Sequence, residues 1–200
     1  MNTDTIEAEI VIHVKGLFNS YNRPYLLYHN LTHSINVVRH AREIAEQYKL
    51  DRHSLFVVLS AAWFHDTGQL TGDMAVHEET SVQFMKEFFS RKPVDQKIID
   101  EIAGCIMATK MPVKPASLTE EILCDADTYH LGTENFQQLD KLVWKELELR
   151  LNNTINNQAE RSLAFLEDHQ FFTVYCLQLL SAGKKKNIDR LKNILGKSTE

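Results

Sequence analysis

Apolar residues recur at intervals of three and four along nearly the whole chain, which is the helical period, and little of the sequence alternates at every second position as a strand would. The pattern predicts an all-α protein with helices over about 4–18, 31–49, 54–66, 76–90, 94–109, 118–130, 133–152, 155–168, 170–182 and 185–196. Local punctuation supports the boundaries. Asn30 and Asp51 stand where N-caps belong, Ser117 with Glu120 fits a capping box, and Pro93 fits a first-turn proline. Gly68, Gly132 and Gly183 are placed as stops or breaks, and "MPVKPAS" at 111–117 reads as a loop. From Leu55 to Phe64 every position is apolar except Ser60. A helix there has no face to offer water and should be central and wrapped; a buried strand shows the same run, but length and neighbours favour helix.

Composition narrows the class. A chain of 200 residues suits one compact domain with a full core, and no repeat, low-complexity segment or linker divides it. No apolar stretch reaches the roughly 18–20 residues of a membrane span, and "MNTDTIEAEI" is acidic where a secretory signal is basic and then apolar, so a cytoplasmic protein with no membrane partner is expected. Cys105, Cys124 and Cys176 are odd in number, widely spaced and set among apolar residues, which predicts buried core thiols rather than disulfides or a zinc knuckle. The formal charge of −5, with Lys184-Lys185-Lys186 as the one short basic cluster, excludes duplex nucleic acid as the main partner. Any phosphate handled here needs another source of positive charge.

That source is suggested by polar residues on apolar faces. The apolar run ends in "HDTG" at 65–68. Consecutive helical residues point about 100° apart, so His65 and Asp66 can meet at one point only where the helix ends, and Gly68 permits an unwound or left-handed turn there. His33 shares a stripe with Val37 and Ile44, Asp127 with Leu123 and Leu131, and His77 with Ser81, Phe84 and Phe88. A buried carboxylate without a partner costs several kcal/mol, so such groups require hydrogen-bonded counter-charges or a cation. The mixed set His33, His65, Asp66 and Asp127 suits Mn, Fe, Co, Ni or Zn better than calcium, which prefers oxygen alone. A metal pocket between helices is the economical reading.

"YHNLTH" at 28–33, "HD" at 65–66 and "CDAD" at 124–127 together resemble the HD-domain metal-dependent phosphohydrolase superfamily. With "IMAT" at 106–109 the chain looks particularly like the bacterial relatives of cyclic-nucleotide phosphodiesterases, over about residues 28–131. The resemblance implies a single HD-type domain over 1–200, a bundle of about nine to ten helices with 133–196 completing the fold. It implies His33, His65, Asp66 and Asp127 as ligands of a first divalent ion (Mn, Fe, Co, Ni, Zn or Mg), with Asp66 also bridging to a second ion or holding the attacking water. His77 matches a second-ion ligand, and His29 matches the histidine that donates a proton to the leaving oxygen. Where binuclear branches carry further histidines, Ala108-Thr109-Lys110 stands instead, and the glutamine-rich purine clamp of the eukaryotic enzymes has no match.

The function so implied is metal-dependent hydrolysis of a small phosphomonoester or phosphodiester, of a nucleotide or nucleotide-like signal. Its rivals are a catalytically silent regulator that binds metal and nucleotide, and a two-iron oxygenase, which would want extra histidines. His13, His40, His53, His130 and His169 are assigned to surface or packing, and Glu78 and Glu79 to first-turn charges that suit the helix dipole. Lys110 reads as a solvated loop lysine or a phosphate contact. Trp63 is expected to pack under the site, and Trp144 belongs to the amphipathic helix 133–152. Helices 133–152 and 170–182 are candidates to cover the core or to form a homodimer face.

Overall fold

The apolar run before the His-Asp pair becomes the helix on which its neighbours pack. A computed structural model describes residues 3–197, and among the described residues there are nine α-helices, two short 3-10 segments and no strand. The contacts divide into two compact units. One runs to Pro24 and then from His29 to Asp127; the other comprises Tyr25–Tyr28 and the chain from Thr128 onward.

In the first unit α1 is Thr3–Tyr21, α2 Leu31–Gln47, α3 Arg52–Phe64, α4 His77–Phe89, α5 Gln96–Ala108 and α6 Leu118–Asp127, with a 3-10 segment at Thr67–Thr71. α3 touches α1, α2, α4, α5 and α6, and every residue from Phe56 to Phe64 is buried. This is why its sequence lacks a polar stripe: it has a neighbour on each side. A large apolar side chain fully buried in this way contributes about 1.5–3 kcal/mol, so the helix that leads into the His-Asp pair is firmly held.

The helix ends follow local chemistry. Asn30 and Asp51 cap α2 and α3 through their side chains. Ser117 Oγ accepts from the Glu120 amide at 3.4 Å, while Glu120 Oε2 takes the Ala116 amide rather than that of Ser117, so the expected box is displaced by one residue. Pro93 lies ahead of α5 and not in its first turn, because Asp95 caps that helix and accepts from the Lys97 amide at 2.8 Å. Gly68 is not the left-handed residue after the HD pair; Gly72 is, at φ 94°. Gly68 is required for space, since a Cβ on it would lie 1.9 Å from the His77 carbonyl oxygen. Its amide donates to Ser81 Oγ at 2.8 Å, and this pins the loop to α4.

The second unit holds the 3-10 segment Tyr129–Gly132, α7 Phe136–Leu151, α8 Gln158–Asp168 and α9 Val174–Lys197. The expected helices 170–182 and 185–196 are one, because Gly183 is not a break. A Cβ there would lie 1.9 Å from the Gly132 oxygen, so both glycines let the 3-10 segment press against an unbroken α9. Asn187 Nδ2 seals the contact, donating to the carbonyls of Leu131 and Thr133 at 2.9 Å each. Buried Glu146 accepts from the Tyr28 amide at 2.8 Å and from Arg150 at 3.3 Å, which ties Tyr25–Tyr28 to α7. The three cysteines are buried and form no disulfide. Among the described residues no helix is long and apolar enough to cross a membrane.

Candidate metal centre

Three helices that pack on one another, α2, α3 and α6, each bring polar side chains to one point. Asn30 Oδ1 accepts from the amides of Thr32 and His33 at 2.9 and 3.3 Å, which starts α2 so that His33 falls in its first turn. His65 closes α3, and its Nδ1 lies 2.8 Å from the Ala62 carbonyl oxygen. A carbonyl only accepts, so the proton sits on Nδ1 and the Nε2 lone pair faces the centre. At Asp66 the chain leaves the α-helix, with φ −107° and ψ 6°. That departure removes the 100° divergence of neighbouring helical residues and lets His65 and Asp66 reach the same place. Asp127 is the last residue of α6.

The resulting cluster is tight. His33 Nε2 lies 3.3 Å from His65 Nε2, 3.3 Å from Asp66 Oδ2 and 3.0 Å from Asp127 Oδ1. His65 Nε2 is 3.4 Å from Asp66 Oδ2 and 3.6 Å from Asp127 Oδ1. His33, His65 and Asp127 can each offer a ligand atom within 4.8 Å of the others. Two nitrogens and two oxygens facing inward at these separations form a donor set that suits a divalent first-row ion, so the residues present fit such a metal.

The electrostatics agree with a site built for positive charge. Burial opposes the charged form of His33, yet the carboxylates of Asp127 and Asp66 overcome it and hold its pKa above the ordinary 6.5. Burial also opposes charge on His65, and there Asp66 and Asp127 drive the pKa well up. Burial alone would raise Asp66, but the neighbouring histidines, His65 first and then His29, hold it well below the ordinary carboxylate value. Asp127 is lowered in the same way, with hydrogen bonds to His33 and His65 outweighing its burial. Carboxylates kept ionised inside a protein are what a cation would find.

The remaining sequence candidates lie around this cluster. The two oxygens of Asp66 face different ways: Oδ2 toward His33 and His65, Oδ1 toward His77 Nε2 at 3.6 Å. His77 Nδ1 is 2.9 Å from the Met74 carbonyl oxygen, which again leaves the other nitrogen's lone pair pointing inward. The ring of His29 stands 5.8 Å from that of His33, nearly at right angles. Trp63 is buried. Two features escaped the sequence. Glu78 is buried rather than displayed, with Oε2 3.2 Å from His77 Nδ1; the buried stripe of α4 is Glu78, Ser81, Met85 and Phe89, one position away from the stripe expected from His77. Lys110 is paired with Glu79, a contact between residues 31 apart in sequence that no local pattern announces.

The helical fold and the converging His and Asp side chains define a class, and a comparison of families gives it a name. A family profile described as the HD domain matches residues 30–132. The chain belongs to the HD domain family. Among solved structures it is similar to a predicted HD superfamily hydrolase from an uncultured Thermotogales bacterium, at 21% identity and a TM-score of 0.61, over 95% of this chain and 91% of that one. A search of curated proteins finds no match.

Proposed function

We propose that this HD-domain protein is a divalent-metal-dependent phosphohydrolase acting on a phosphomonoester or phosphodiester of a nucleotide or nucleotide-like signal. The observation that carries the reading is the convergence on the two histidines: the Nε2 atoms of His33 and His65 lie 3.3 Å apart, and each is within 3.0–3.6 Å of an oxygen of Asp66 and an oxygen of Asp127. These four would hold the first ion. His77 and the outward oxygen of Asp66 would hold a second.

A divalent ion held there supplies a nucleophile at neutral pH, because coordination lowers the pKa of water from 15.7 toward about 7. The protein's own part is orientation and proton transfer. The Nδ1 hydrogen bonds of His65 to Ala62 and of His77 to Met74 fix which nitrogen points inward, so neither ring turns away when substrate arrives. Asp66, already ionised before any metal arrives, would use its outward oxygen to align the attacking water if a single ion is held, and to hold the second ion if two are. His29, beside His33 but on the loop before α2, delivers a proton to the leaving oxygen, a step in which a placed general acid contributes roughly 10²–10⁴-fold. "YHNLTH" and "IMAT" favour the branch related to cyclic-nucleotide phosphodiesterases.

The test combines metal analysis with turnover of a chromogenic phosphodiester, a chromogenic phosphomonoester and a nucleotide panel. Bound divalent metal, hydrolysis of at least one substrate, and loss of both in His65→Ala are expected. A metal-replete protein that hydrolyses nothing, with His65→Ala equally folded and equally loaded, would overturn the reading. Strong thermal stabilisation by a nucleotide without product would mark a silent regulator instead.

A further inference from the structure

The ionisable side chains around the centre differ in exposure. His65 is 1% exposed and Asp66 7%, His77 reaches 19% and Asp127 27%, and the Lys110–Glu79 ion pair is 37% and 46% exposed. That pair is open to solvent and close enough to the centre for Glu79 to feel His77 and Lys110 to feel Glu78. Glu79 lies in the first turn of α4, two residues after His77, and Lys110 immediately follows Thr109, which closes α5. α4 and α5 pack together, which brings the turn that follows α5 to the first turn of α4.

The charge pattern here is unfavourable for an anionic substrate. Asp66, Asp127, Glu78 and Glu79 put carboxylates around the centre, and Coulomb repulsion between like charges is strongest where water is scarce. A cation from the protein would offset that repulsion alongside a metal. Lys110 is a solvent-reached cation near His77, already holding an anionic group. Its partner Glu79 sits at the start of a helix whose N-cap, Val76, offers no capping side chain, a place where the helix dipole also favours an anion. The Glu79 carboxylate therefore stands where a phosphate oxygen would be welcome, and an exposed ion pair of this kind is cheaply exchanged.

We propose that Lys110 anchors the phosphate oxygens of the substrate beside the centre and that Glu79 is a placeholder which the incoming phosphate displaces. This rests on the phosphohydrolase reading above. Lys110 binds and orients; it takes no part in the bond-breaking step.

The two halves of the pair give the test its sign. Lys110→Met and Glu79→Gln remove the same ion pair, so a merely structural role predicts similar behaviour of both. An anchor with a placeholder predicts opposite behaviour. Inorganic phosphate is titrated calorimetrically into manganese-loaded protein, with metal content and Tm recorded for each variant. Binding should weaken by about tenfold or more in Lys110→Met, the loss of one charge-assisted contact, persist in Lys110→Arg, and tighten in Glu79→Gln, all with unchanged metal content. Unaltered phosphate affinity in Lys110→Met, weakened affinity in Glu79→Gln, or no phosphate binding by the unsubstituted protein each overturns the proposal. Lys110-dependent phosphate binding with no turnover of any phosphoester would sink the hydrolase reading and leave the anchor standing; normal turnover with an unchanged KM in Lys110→Met would do the reverse.

Discussion

His33 and His65 are buried beside two carboxylates that want them charged, and this sets a pH signature for the metal-free protein. Both imidazoles have pKa values raised above the ordinary 6.5, so the stability they contribute is complete below about pH 6.5 and is lost as pH rises through their folded values. Asp66 and Asp127 are lowered from 3.8, so their contribution is complete above about pH 4 and is lost as pH falls through their folded values. A bound metal takes the place of the protons, and its affinity rises as the imidazoles lose them. Melting curves with chelator and with manganese, from about pH 6 to about pH 9, should show a metal-induced rise in Tm that widens as pH increases; a rise that stays constant or narrows would contradict this. The proposed roles separate His29 from the ligands. His29→Ala should lower kcat by roughly 10²–10⁴-fold with metal content unchanged, and an accompanying loss of metal would show that His29 is a ligand instead of a proton donor. The four converging residues were legible in the sequence because His33 and Asp127 interrupt apolar stripes and His65 and Asp66 end an apolar run. Glu78 was not, since a carboxylate in a first turn is ordinarily a surface charge and only the packing of α4 shows that it is buried.

At the level of elements, close approach of backbones decides where the centre's parts sit. Gly68 lets the His77 carbonyl come near the loop that follows Asp66, and Gly183 does the same for Gly132. Gly68→Ala places a Cβ 1.9 Å from the His77 oxygen, so α4 must shift. The expected cost is about 1–3 kcal/mol, with a loss of activity because His77 moves with the helix. Gly104→Ala is the control: its Cβ would meet nothing closer than Glu120 Oε1 at 3.6 Å, and removing a mid-helix glycine should stabilise by about 0.5–1 kcal/mol. Chemical denaturation of the two variants measures both, and equal effects would remove the close-approach explanation. The sequence cannot distinguish a glycine that ends a helix from one that admits a neighbour, since each is only a missing Cβ. That is why Gly183 read as a break although α9 runs through it.

For the molecule as a whole, the helical period carried most of the architecture, and the wrapped α3 followed from a run with only Ser60 to interrupt it. The two 3-10 segments were not legible, because four or five residues hold too little pattern to distinguish them from the ends of the preceding helices. The division into Pro24-to-His29 and Asp127-to-Thr128 boundaries also left no mark, as no linker composition accompanies it. What the sequence and the fold share is the ordered set from His33 through His65 and Asp66 to Asp127: α2, the end of α3 and α6 bring His33, His65 and Asp127 together, and Asp66 joins them from the residue after His65. The most direct measurement is an anomalous difference map from crystals soaked in manganese. A peak within about 2.0–2.3 Å of His33 Nε2, His65 Nε2 and a carboxylate oxygen each of Asp66 and Asp127 is the predicted result. A map with no peak there, or with manganese bound only at other side chains, would contradict it.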